Sequence, residues 1–199
     1  MLENGLLFPD EDSMILYRNR CPLIERGKMK NKLNVDSMVK ASMLAAISII
    51  LSRFFGIFIT QSIKFSFGHL PLMIAGMICG PIYGALAGLA ADLIGVAINA
   101  GGAPHLGFTL VSVLTGLIPG LVVKYCKDKN ISLKIQVAIM IIFVFYICHM
   151  FLNTLWLSQL YKTPYKIMLA SRFLKVFIDG IINYVLVYLV ASKILNKIK

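Results

Sequence analysis

Six apolar stretches, separated by charge, glycine or proline, decide which solvent this chain can fold in. They cover residues 39–59, 70–79 (extended upstream to Phe65), 82–98, 106–125, 135–157 and 167–195. Most are long enough to cross about 30 Å of hydrocarbon at 1.5 Å per helical residue. Of the 199 residues 58% are hydrophobic and 15% charged, with a mean hydropathy of +0.80. An ordinary soluble domain carries roughly 25% charged residues, and so short a chain cannot bury that much apolar surface in water. Lipid is the matching solvent.

The net charge of +11 acquires its meaning from where the basic residues lie. Seven precede or open the first stretch (Arg18, Arg20, Arg26, Lys28, Lys30, Lys32, Lys40). Four surround the fourth-to-fifth connection (Lys124, Lys127, Lys129, Lys134), and three end the chain (Lys193, Lys197, Lys199). Only Lys64, Lys162 and Lys166 fall in the opposite connections. Fourteen against three predicts an all-α integral membrane protein of six transmembrane helices with both termini cytoplasmic. The excess charge is thereby spent on orientation, and no nucleic-acid interface is expected. Residues 1–28 are polar, lack the apolar run of a signal peptide, and read as a disordered extension. Met29, followed by Lys30 and Lys32, reads as the start of the six-helix domain, residues 29–199.

Five charges remain at membrane depth: Arg53, Asp92, Arg172, Lys175 and Asp179. Such charges face a partner or a polar interior because lipid cannot solvate them. Arg172, Lys175, Asp179 and Asn183 share one helical face, as do Tyr146, His149, Asn153 and Trp156. Two polar, aromatic stripes on successive helices predict the wall of a binding site. Local alternatives stand beside that reading. Arg53, Arg172 and Lys175 are near enough to helix ends to snorkel, and Asp179 can neutralise Lys175 at i+4. Asp92 can bond a neighbouring helix, and His149 and Trp156 can simply pack.

Small residues form further stripes: Ala41, Ala45, Ser48 and Ser52 on the first helix, and Gly84, Gly88, Ala91 and Gly95 on the third. They let helix backbones approach, either within the chain or against another subunit. At 100° per residue, Arg53 stands about 120° off the first stripe. Gly80-Pro81 predicts a tight turn between two helices.

The chain lacks G-x-x-x-x-G-K-[ST], H-E-x-x-H and G-x-S-x-G, and shows no carboxylate pair at acid/base spacing. Cys21, Cys79, Cys126 and Cys148 form no C-x-x-C pair, and His69, His105 and His149 are scattered. No catalytic residue, metal site or cofactor is expected, and no continuous polar path suggests a channel.

Lys64-Phe65-Ser66-Phe67-Gly68-His69-Leu70-Pro71 leads to Gly76, then Gly80-Pro81-Ile82-Tyr83-Gly84 and Ala90-Ala91-Asp92-Leu93-Ile94-Gly95. Gly107-Phe108-Thr109-Leu110 follows a glycine-rich loop, and Ser171-Arg172-Phe173-Leu174-Lys175 opens the last helix. This order resembles the substrate-binding S components of energy-coupling factor (ECF) vitamin transporters, most closely the folate family, over about residues 36–195.

The resemblance implies a six-helix protein of the prokaryotic cell membrane that captures a folate-like vitamin from outside. Its partners would be a transmembrane coupling subunit and two cytosolic ATPase subunits. In that family an A-x-x-x-A pattern on the first helix docks on the coupling subunit, which assigns Ala41, Ala45 and Ser48 to docking. Folate has two carboxylates, for which Arg53, Lys64, Arg172 and Lys175 are the candidate cations. Phe67, Phe108, Tyr146 and Trp156 are candidates to sandwich its ring, and Asp92 or Asn153 to read the pterin edge. Gly101 and Gly102 are expected in a lid, with His105 and Thr109 beside it. An S component for another vitamin or a nucleobase-like solute is the nearest alternative.

Overall fold

The computed structural model describes residues 35–54, 57–60, 63–65, 67–98, 105–127 and 131–197. The 1–28 extension and the Gly101–Gly102 loop lie outside them. The helices are α1 (Val35–Arg53), α2 (His69–Cys79), α3 (Pro81–Ile98), α4 (Leu106–Lys127), α5 (Leu133–Tyr161) and α6 (Tyr165–Lys197). A two-stranded antiparallel hairpin, β1 (Ile57–Thr60) and β2 (Ile63–Phe65), joins α1 to α2.

Apart from that hairpin the elements of the described residues are all helical, as expected, and the hairpin replaces two helix ends. The first helix was expected to reach Ile59 and the second to begin at Phe65, but Ile57 pairs with Phe65 and Phe58 with Lys64. Ile57-Phe58-Ile59-Thr60 is a β-branched and aromatic run, which suits a strand as well as a helix end. Five helices are long and apolar enough to cross a membrane; α2, of 11 residues, is not. At 1.5 Å per residue it spans about 16 Å.

α2 is short because it is interior. Seven consecutive residues, Pro71 to Met77, are buried, and a helix that is apolar all round must be enclosed. It separates two clusters. On one side Met73 and Met77 join Val137, Met140, Val144 and Phe145 of α5 and Val176 and Val187 of α6. On the other, Leu72 and Ala75 join Ala41, Ala45 and Ile49 of α1 and Ala87 and Ala91 of α3.

The first-helix stripe is therefore spent inside the chain. Ala41, Ala45 and Ser48 are only 5%, 5% and 3% exposed, and Ser48 Oγ donates to the Gly68 carbonyl at 2.7 Å. Within the chain Ala41 and Ala45 pack against α2 and α3.

The third-helix stripe also faces inward, with Gly84, Gly88, Ala91 and Gly95 all buried. At its centre α2, α3 and α4 touch backbone to backbone. A Cβ on Gly116 would stand 2.0 Å from the Gly84 carbonyl oxygen, and one on Gly76 would stand 2.1 Å from that of Gly116. The Gly80-Pro81 turn forms as expected. Gly80 takes φ +93°, open to glycine, and its N–H bonds the Gly76 carbonyl at 3.1 Å.

α5 is irregular. Between α-helical Leu133–Ile141 and Asn153–Tyr161, residues Ile142–Leu152 form a π-helix. Such i→i+5 turns change which side chains share a face. Tyr146 consequently packs on Phe177 of α6, with ring centroids 6.3 Å apart, while His149 turns to His69 of α2, at 4.2 Å. The single face expected for Tyr146, His149, Asn153 and Trp156 is thus split.

Candidate functional site

The polar residues gather where the C-terminal ends of α1, α3 and α5 meet the N-terminal ends of α2, α4 and α6. Three groups occupy this end of the bundle.

The first ties α1, α3 and α4. Arg53 Nη2 lies 3.6 Å from Asp92 Oδ1, each side chain 13% exposed, and Thr109 Oγ1 donates to Asp92 Oδ2 at 2.7 Å. Gly95, one turn beyond Asp92 (i+3), makes room for the guanidinium. A Cβ there would stand 2.7 Å from Arg53 Nε. Both oxygens of the deepest carboxylate are thereby engaged, and the helix–helix role considered for Asp92 is realised.

The second group is aromatic. His105 lies 5.4 Å from the Trp156 ring and 5.8 Å from Phe108. The Gly107 N–H donates to His105 Nδ1 at 3.0 Å. Trp156 lies flat over Gly107, where a Cβ would meet three of its ring atoms at 2.4–2.6 Å. Its indole N–H is buried and has no acceptor among the described residues. An aromatic face and an unused donor together suit a flat heteroaromatic ligand.

The third group lies along α6. Arg172 is 5% exposed, so it does not snorkel, and its Nη1 donates to Thr154 Oγ1 of α5 over a long 3.4 Å. Its Nε–H has no partner among the described residues. Lys175 Nζ pairs with Asp179 Oδ2 at 2.5 Å. Asn183 Nδ2 donates to the Asp179 carbonyl at 2.9 Å, and its own buried Oδ1 has no partner among the described residues. A buried cation and an orphaned polar atom require either an internal partner or a bound one.

Below these groups Thr115 donates to the Val111 carbonyl at 2.8 Å, so its oxygen accepts from His149 Nε2 at 3.3 Å. His149 is therefore a satisfied core residue. Of the remaining candidates, Phe67, two residues before α2, is 47% exposed, Asn153 is half-buried, and Lys64 lies on β2 opposite Phe58. Tyr146 sits in the α5–α6 seam, away from Trp156. Sequence reasoning overlooked Thr154 and Thr115. A threonine in an apolar helix commonly bonds its own i−4 carbonyl, so it carries little signal of its own.

Comparison with known proteins agrees with this architecture. The family model for "ECF transporter, substrate-specific component" matches residues 36–191. A folate transporter FolT of Clostridium novyi is 29% identical over 155 residues, which is 77% of this chain and 87% of that protein. FolT of Leuconostoc mesenteroides is 30% identical over 136 residues, 67% of this chain and 70% of its own length. A solved structure described as FolT bound with folic acid superposes with a TM-score of 0.70 at 26% identity, covering 80% of this chain and 95% of that one. The matched span and its apolar helices make this a multi-pass membrane protein that belongs to the family of substrate-specific components of ECF transporters, which are transport subunits and not enzymes.

Proposed function

We propose that the chain captures folate, or a reduced folate, at the outer end of its bundle and delivers it through an ECF transporter powered by separate ATPase subunits. The observation that carries this reading is the likeness, over 80% of the chain, to FolT bound with folic acid. The site chemistry supports it. Folate pairs a flat pterin with a carboxylate tail, and this end of the bundle offers the Trp156 indole N–H and the Arg172 Nε–H, both without a partner among the described residues.

Six helices with both termini cytoplasmic is the topology we infer, from the fourteen-to-three distribution of basic residues. It sets the hairpin and the polar groups at the outer face of the prokaryotic cell membrane. The coupling subunit and two ATPases are inferred from family membership. Since the first-helix stripe is covered, exposed neighbours on α1, such as Met43 and Ile47, are the more accessible contacts for the coupling subunit.

Uptake of labelled folate by a host without its own folate uptake tests the reading. Expression with the coupling and ATPase subunits should give ATP-dependent accumulation, and the chain alone should give binding without accumulation. Accumulation by the chain alone, or none with the full set, would contradict it.

A further inference from the structure

We propose that the site neutralises one ligand carboxylate and no more, with Arg172 as its anchor; this rests on the folate reading. Of the intramembrane charges, two pairs cancel. Arg53 faces Asp92 at 3.6 Å, and Lys175 holds Asp179 at 2.5 Å. Arg172 makes no ion pair among the described residues, although it is only 5% exposed. Among the described residues its one hydrogen bond, to the neutral Thr154 hydroxyl, is 3.4 Å long, and its Nε–H has no partner.

Among the described residues the site thus carries one formal positive charge in excess. A buried, unpaired cation is costly, and a carboxylate that brings two oxygens to a guanidinium relieves that cost in the best geometry available. Among the described residues a second carboxylate finds no second uncommitted cation at that depth. Entering would force it to displace Asp179 from Lys175 or Asp92 from Arg53, leaving one acid unpaired. It therefore stays at the aqueous mouth, where any lysine contact is screened and changes affinity a few-fold at most. Lys175 is a positioning residue whose charge is reserved by Asp179.

Four ligands separate the possibilities on the purified full-length chain in detergent: folate, its α-monoamide, its γ-monoamide and the neutral diamide. Calorimetry should give one monoamide within about threefold of folate. The other monoamide and the diamide should both be weaker by tenfold or more, as expected for losing a charged hydrogen bond. In Arg172→Gln all four ligands should converge within threefold near the diamide affinity of the wild type, which also shows that the variant is folded. The paired Lys175→Gln, Asp179→Asn variant keeps the net charge and should keep the wild-type discrimination.

Loss of tenfold or more for both monoamides would overturn the inference, since two carboxylates would then be held. A diamide binding as well as folate would overturn it too, since none would be held. Discrimination that survives Arg172→Gln, or vanishes with Lys175 and Asp179 neutralised, would move the anchor elsewhere. If none of the four ligands binds wild-type protein, the folate reading itself fails and the inference with it.

Discussion

Two glycine-to-alanine substitutions in this chain should shift stability in opposite directions. An alanine inside a helix normally gains about 0.5–1 kcal/mol over glycine by restricting the unfolded chain. At Gly180 nothing opposes that gain. The added methyl would meet Ile141 Cγ2 at 3.7 Å, Phe145 Cβ at 3.8 Å and Tyr146 Cε2 at 3.9 Å, all ordinary contacts. At Gly116 the methyl would stand 2.0 Å from the Gly84 carbonyl oxygen and 2.5 Å from its carbon. Reaching an ordinary separation near 3.4 Å requires α3 and α4 to part by about 1.4 Å, because both neighbours are backbone. Overpacking of this kind costs about 1–3 kcal/mol and can cost more. We place Gly116→Ala near the upper end because Gly76 closes the same contact from α2.

At about 2–4 °C per kcal/mol for a chain of this length, Gly116→Ala should melt some 5–10 °C below wild type and Gly180→Ala about 2 °C above it. Circular dichroism melts in one detergent, without ligand, provide the comparison. Equal shifts of the same sign, or a Gly116→Ala protein as stable as wild type, would refute the backbone-contact account.

Further outcomes follow from the site. Asp92→Asn removes the carboxylate partner of a mostly buried Arg53 and should destabilise by about 3 kcal/mol; Arg53→Gln with Asp92→Asn should cost less than Asp92→Asn alone. Melting curves of the three variants check this. Gly107→Val should displace the indole of Trp156, shift its emission and weaken folate binding at least tenfold, whereas unchanged emission would place the ring elsewhere. A C-terminal phosphatase fusion should be inactive and a C-terminal fluorescent fusion bright, since both ends are expected in the cytoplasm; an active phosphatase would reverse the topology.

What the residues disclosed, and what they hid, follows from the range of the interactions. Helix positions were legible because apolar length is a local property. The Gly80-Pro81 turn was legible because φ and a missing donor are local as well. The hairpin was hidden, since Ile57-Phe58-Ile59-Thr60 is equally apolar whether it continues a helix or pairs as a strand. The π-helix was hidden too, and with it the split of Tyr146 from His149. In the site, Lys175–Asp179 could be read from i+4 spacing. Arg53–Asp92 joins residues 39 apart, so only the fold reveals it. The same holds for Gly107, a motif glycine whose role is to let Trp156 lie flat. The first-helix stripe was read for its size but not its direction, because smallness suits an internal seam and an external one equally.

The central claim is that this chain by itself holds a folate. Trp156 is the only tryptophan in the sequence, and it stands at the proposed site. Titrating folate into the purified chain in detergent and following its emission should give saturable quenching with one ligand per chain. Absence of binding for folate and its reduced derivatives, by both emission and calorimetry, would contradict the account.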